Sequence, residues 1–195
     1  MARTFAVSFD YRCPFARNAH ESVAAGLRAG RDWDVTFVPF SLDQVHAEEG
    51  EPPVWEREPA VWGTGVNALL WGIAVRDAFP DKFLDWHVAA FAARHDEGRK
   101  IAKPEVLREV GESVGLDTDA VTAEIASGRP LDVLARAHTE AVKRHSMFGV
   151  PTFVVGDQAV FVRLMTRGVP EDVDRVLDLL EWPDLNEFKH TSVPR

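Results

Sequence analysis

Strand-like patterning stands at the two ends of this chain and is missing from the long stretch between them, and few folds accept that arrangement. At the front, TFAVSFD (4–10) alternates apolar Phe5, Val7 and Phe9 with smaller or polar residues, the period-2 mark of a strand. From Phe15 onward, Ala19, Val23 and Leu27 recur at helical spacing until Gly30 supplies a stop. WDVTFVPF (33–40) is β-branched and aromatic, with Pro39 near its end, and reads as a second strand. Strand, helix and strand make a βαβ unit, for which a right-handed crossover is expected.

Residues 41–56, SLDQVHAEEGEPPVWE, are acidic and proline-containing and read as a loop. From about 57 to 147 the pattern is helical, broken at Pro80, near Pro104, at Gly115 and at Ser127. Pro104 suits a first helical position, and Asp117 or Thr118 suits an N-cap. Two short β-runs follow, Thr152 to Val155 and Ala159 to Val162, joined as a hairpin through Gly156, Asp157 and Gln158. PEDVDRVLDLLE closes the pattern as a helix led by Pro170, with Val173, Val176, Leu177 and Leu180 on one stripe.

Composition narrows the function. The chain has 195 residues, 46% of them hydrophobic, enough for one globular unit with a large insertion. A formal charge of −9 with scattered basic residues argues against nucleic acid as a partner. No apolar run approaches the roughly 18 residues of a membrane span, and MARTFAVSFD reaches Asp10 too early for a secretory h-region. The expectation is a cytoplasmic protein with no membrane partner. One cysteine, Cys13, excludes an intramolecular disulfide and a multi-thiolate metal site.

Cys13 precedes Pro14 where strand gives way to helix. There, free backbone N–H groups and the helix dipole favour an anion. Such a terminus contributes ~0.3–2 kcal/mol, at most about 1.5 pKa units, which would bring a thiol from about 8.5 to about 7. Arg12 and Arg17 stand on either side as candidate stabilisers of the thiolate. Pro14 removes an N–H that the first turn would not use. The stretch therefore reads as a site that activates sulfur, and the order of elements together with the proline-containing loop at 151, not the cysteine itself, sets aside an inert buried thiol.

CPFA at the strand–helix junction resembles the Cys-Pro-x-Cys site of DsbA-type oxidoreductases, and FGVPTFVV resembles the loop in which the thioredoxin fold places a cis-proline opposite its active cysteine. PFSL, VWGTGV, RHDEG, FVRLMTRGVP and NEFKHT are similar to the actinobacterial branch that contains the mycothiol-dependent nitroreductase. The resemblance implies an α/β chain with a thioredoxin fold: residues 1–40 and 147–195 form the thioredoxin-like domain, and 41–146 form an α-helical domain inserted between strand two and the cis-proline loop. It implies Cys13 as nucleophile beside Pro14, with Val150 and Pro151 presenting backbone to the substrate, and Phe15, Ala16, Ser41, Gln44 and Trp62 as candidates for the pocket. It also implies a small-molecule thiol or disulfide as partner, mycothiol or glutathione as co-substrate, thiolated proteins as further substrates, no tightly bound cofactor, and room for a homodimer.

The sequence departs from that pattern at Ala16, where dithiol members carry a resolving cysteine, and at Val150, where several relatives have threonine. An intramolecular dithiol cycle is excluded. Three chemistries remain: mixed-disulfide exchange with an external thiol, a thiol-dependent transferase or isomerase of the kappa-class type, and a binding module without turnover. Of the other polar residues, His20 is ~10 Å along the helix from Cys13, too far to act as its base. The pairs His87 with His95 and His138 with His145 lack the third ligand that zinc needs. Arg163 and Arg167, after the hairpin, suit either an anionic thiol or solvent.

Overall fold

A computed structural model of the chain describes residues 2–185. Its front is the expected unit: β1 (Arg3–Phe9), α1 (Pro14–Arg28) and β2 (Trp33–Pro39). β2 pairs with β1 in parallel, from Arg3 opposite Trp33 to Phe9 opposite Pro39. After the helices come β3 (Thr152–Val155), β4 (Gln158–Phe161) and a closing helix at Pro170–Leu180. β3 runs antiparallel to β1, with Val7 opposite Phe153, and β4 antiparallel to β3, giving the order β2-β1-β3-β4.

Alternation along β1 sorts the two faces of this sheet. Phe5, Val7 and Phe9 are buried on one face with Phe37 and Phe153, and α1 covers them because Ala16, Ala19 and Val23 repeat at helical spacing and are fully buried. Gly26 near the end of α1 is required by contact: a Cβ there would lie 2.1 Å from the Trp33 ring. Gly30, in the left-handed region at φ 78°, ends the helix as the sequence predicts.

Between the two groups of strands lie α2 (Leu42–Val45), α3 (Val66–Ala78), α4 (Pro80–His95), α5 (Pro104–Ser113), α6 (Thr118–Ala126) and α7 (Arg129–His145), and the closing helix is α8. α3 packs against α4, α6 and α7; α4 also reaches α1, and α7 reaches β2. Breaks fall at the expected places: Pro80 and Pro104 open helices, and Asp117 caps α6, its side chain accepting from the Ala120 N–H at 3.1 Å. Val173, Val176, Leu177 and Leu180 of α8 are buried as one stripe.

Two stretches differ from the sequence reading. Residues 41–56 are not wholly loop: Ser41 Oγ accepts from the Gln44 N–H at 3.2 Å and starts α2, and Val54–Glu56 forms a 3-10 turn. Ser-x-x-Gln is a helix-start signal that the acidic composition obscured. The hairpin loop contains only Gly156 and Asp157, so Gln158 pairs with Val155 and β4 begins one residue earlier than expected. The polar stretch NEFKHT begins at residue 186 and lies outside the described residues.

Candidate functional site

Cys13 is the N-cap of α1. Its backbone is extended while Pro14 takes the first helical position, and its Sγ accepts from the Ala16 N–H at 3.4 Å. The same sulfur donates to the Val150 carbonyl at 3.3 Å. The Val150–Pro151 peptide bond is cis. That loop is held from both sides: the Thr152 N–H donates to Ser8 Oγ at 2.9 Å, and Thr152 Oγ1 donates to the Gly149 carbonyl at 2.8 Å. Cys13, Pro14, Val150 and Pro151 thus meet at one end of the sheet, although they come from opposite ends of the chain.

The two expected thiolate stabilisers are engaged elsewhere. Arg12 pairs with Asp43 of α2, and Arg17 pairs with Glu21 at 2.8 Å and with Asp96. Each guanidinium faces a nearer carboxylate, so neither charge is directed at the sulfur. The cation the thiol feels is Arg163, which lies over the Phe15 ring at 5.1 Å and the Phe161 ring at 5.5 Å. Arg167 is paired with Asp96 at 3.1 Å.

A lowered thiol pKa is also not what the geometry gives. Burial pushes the Cys13 thiol up from its ordinary value, and the negative charge of Asp10 adds to this. The N–H groups of Ala16 and Phe15 and the charge of Arg163 pull it back, but the net direction is upward. The helix terminus works as expected; the desolvation it must overcome was not visible in a linear sequence.

Asp10 is the residue that sequence reasoning missed. It is fully buried at the end of β1, and its carboxylate accepts from the N–H groups of Arg12 and Leu42, each at 2.8 Å. Burial raises its pKa to about 6, against the opposing pull of those two N–H donors and of Arg12. An acid closing a strand just before the chain's cysteine was the available signal. Asp10 also pins the turn that carries Cys13 to the first residue of α2.

The remaining pocket candidates divide. Phe15 and Ala16 follow Cys13 directly, Phe15 half-buried and Ala16 fully buried. Ser41 is buried, capping α2 with its side chain while its N–H donates to His138 Nδ1 at 3.2 Å. Gln44 Oε1 accepts from the Val54 N–H at 2.7 Å, and Trp62 Nε1 donates to the Arg57 carbonyl at 3.1 Å. The polar groups of these three side chains build the segment that leaves β2. The glycines of VWGTGV have a related cause: a Cβ on Gly63 would fall 2.0 Å from Asp43 Oδ1, and the Gly65 N–H donates to Asp43 at 2.9 Å.

Behind the site runs a buried chain of hydrogen bonds. His20 Nε2 lies 3.0 Å from the Ser8 carbonyl, His87 Nε2 lies 2.9 Å from His20 Nδ1, and the Tyr11 hydroxyl lies 2.6 Å from His87 Nδ1. A carbonyl only accepts, so one assignment satisfies every link: His20 donates to Ser8, His87 to His20, and Tyr11 to His87. Burial lowers the pKa of His20 to about 4 and depresses His87 well below its ordinary value, so both rings are neutral. Among the described residues no helix is long and apolar enough to cross a membrane.

Comparison with known proteins shows the fold to be shared. Residues 64–169 match the model of the DSBA-like thioredoxin domain. The Bacillus subtilis (strain 168) protein YwbO is 22% identical over 172 residues, covering 77% of this chain and 86% of the relative. The thiol:disulfide interchange protein DsbA of Azotobacter vinelandii is 33% identical over 94 residues, 48% of this chain and 43% of that one. The solved structure of the cytosolic disulfide reductase DsbM from Pseudomonas aeruginosa with GSH superposes with a TM-score of 0.64 at 21% identity, covering 90% of this chain and 97% of that chain.

Proposed function

Because the chain belongs to the DSBA-like thioredoxin domain family, we propose that it is a monothiol thiol–disulfide oxidoreductase in which Cys13 exchanges disulfides with an external thiol of the glutathione or mycothiol kind. One observation carries this reading: the Cys13 sulfur lies against the Val150 carbonyl beside Pro151, while Ala16 stands where a second thiol would have to be.

The step balances without a second protein thiol. Cys13 gives up its proton to solvent, its thiolate attacks one sulfur of R–S–S–R, a Cys13–S–S–R bond forms, and R–S⁻ leaves and is protonated. A different thiol, R′–SH, then gives up its proton, attacks the R sulfur of the mixed disulfide and leaves as R–S–S–R′ while Cys13 takes up a proton, so the net change is transfer of an R–S group from R–S–S–R to R′–SH. Val150 and Pro151 present backbone to the arriving molecule, and thiolated proteins enter by the same route. The cytoplasm suits the cycle, since its low-molecular-weight thiols supply the second attack. Within the family we assign the chain to the branch of the mycothiol-dependent nitroreductase on the strength of VWGTGV, RHDEG and FVRLMTRGVP.

Intact-mass measurement after exposure to oxidised glutathione and to oxidised mycothiol tests the reading, with Cys13→Ser as control. A single adduct on the folded native protein, removed by added thiol and absent from the variant, is expected. Labelling only after unfolding overturns it. A Cys13→Ser variant that keeps catalytic turnover with a thiol co-substrate would replace it with the transferase or isomerase reading.

A further inference from the structure

The cation whose charge reaches the Cys13 sulfur has no carboxylate partner among the described residues. Arg12, Arg17 and Arg167 each meet a carboxylate, whereas Arg163 makes no ion pair or hydrogen bond among the described residues. Its contacts are the faces of two rings, Phe15 and Phe161, at 5.1 and 5.5 Å. Phe161 is itself braced by Phe148, with ring centroids 5.1 Å apart. Neither ring supplies an acceptor to the guanidinium N–H groups, so these donors stay open to a ligand among the described residues. Phe15 is two residues past Cys13, so this held fork lies at the mouth of the thiol site.

We propose that Arg163 is the specificity-determining residue of the Cys13 site, binding a carboxylate of the thiol or disulfide co-substrate and so selecting anionic thiols over uncharged ones. The inference rests on the exchange chemistry proposed above and adds the charge of the molecule that takes part in it. The overall charge strengthens the argument. A chain of formal charge −9 repels anions at long range, so a preference for them has to be created locally. An arginine fork is the group whose geometry matches a carboxylate by two parallel hydrogen bonds. Glutathione carries carboxylates that suit it and mycothiol carries none, so of the two thiols named above this selection takes glutathione, whichever branch of the family the chain belongs to.

Rates of adduct formation on Cys13 with three disulfides decide the matter: oxidised glutathione, the uncharged bis(2-hydroxyethyl) disulfide, and the cationic cystamine. The readout is the ratio of the glutathione rate to the uncharged rate, which cancels any change in the thiol's own reactivity. Arg163→Gln is expected to lower that ratio about tenfold, the worth of one charge-assisted contact. Arg163→Lys, which keeps the charge but not the fork, should fall between, and Arg163→Glu should make cystamine the preferred partner. A ratio in Arg163→Gln within about twofold of the native one overturns the assignment of Arg163 while leaving the exchange chemistry intact. Failure of all three disulfides to label the folded native protein overturns both.

Discussion

At the thiol, desolvation and the helix terminus oppose each other, and desolvation prevails. A thiol held above its ordinary pKa is a poor leaving group, so an adduct on Cys13 is expected to persist until an external thiol attacks it. Asp10 contributes to that setting by its charge. Replacing it, Asp10→Asn, should lower the midpoint of Cys13 alkylation against pH, because a negative charge that raises the thiol's pKa is gone; an unchanged or higher midpoint would remove Asp10 from the site. Ala16 makes the second residue-scale case. Its N–H already reaches the Cys13 sulfur, and one turn of helix brings positions 13 and 16 to the same face. Ala16→Cys should therefore close a disulfide with Cys13 and gain dithiol activity, with alkylation counting showing no free thiol after oxidation. Two free thiols would contradict the placement of Cys13 as the cap of α1. Cys13 and Pro151 were legible as motifs in the sequence. Asp10 and the true partners of Arg12 and Arg17 were not, since Asp43 and Asp96 are brought to those arginines only by folding.

α1 joins the reactive turn to the buried core, and the join is made by neutral histidines. His20 on α1, His87 on α4 and Tyr11 just past β1 lock three segments through hydrogen bonds; a proton on His20 Nδ1 would break the link to His87, and one on His87 Nδ1 would reverse the link to Tyr11. A histidine whose folded pKa is depressed contributes stability that is present above about 6.5 and is lost as pH falls toward the folded value, about 4 for His20. The unfolded chain takes up protons the folded one refuses, a slope of about 1.4 kcal/mol per pH unit for each such ring. Asp10, raised to about 6, acts in the opposite sense, since folding then favours its protonation, and it offsets part of the loss. Urea unfolding between pH 6.5 and 5 should show falling stability, with a shallower slope in His87→Leu; equal slopes would remove His87 as a source of the acid sensitivity. The sequence marked His20 as too distant to serve Cys13 as a base, and the structure gives it a different task. The contact between α1 and α4 has no trace in either helix's own periodicity, because it joins residues far apart in the chain.

Across the whole molecule the buried side chains form one cluster that includes Phe5 and Phe153 from the sheet and Trp71 and Leu134 from the helices. Phe37 of β2 meets Phe83 of α4 at 4.9 Å between ring centroids, and Arg76 of α3 donates to the Phe37 carbonyl at 2.7 Å. Sheet and helical insertion should therefore unfold together. Tryptophan fluorescence, dominated by the insertion, and circular dichroism, which reports every helix, are expected to give one urea midpoint; two separated transitions would show that the insertion is an independent folding unit. The order of elements was legible because strand and helix periods differ so plainly at residues 10 and 152. The extent of shared core was not, since composition does not reveal which apolar faces meet.

The register of the sheet has a consequence for how such a chain can diversify. Phe9 ends β1 opposite Pro39, where β2 ends, and Ser8 is bound to Thr152, where β3 begins. The insertion thus departs and returns at the same rim that carries the sulfur. Its two moorings are fixed by the pairing of β2 and β3 with β1 and by the Ser8 hydroxyl, whatever helices hang between them. Insertions and exchanges along that intervening chain can remodel the approach to Cys13 while leaving the strands, the cap and the proline loop in place, so the sheet works as an anchorage and the helices as cargo that a lineage is free to reload.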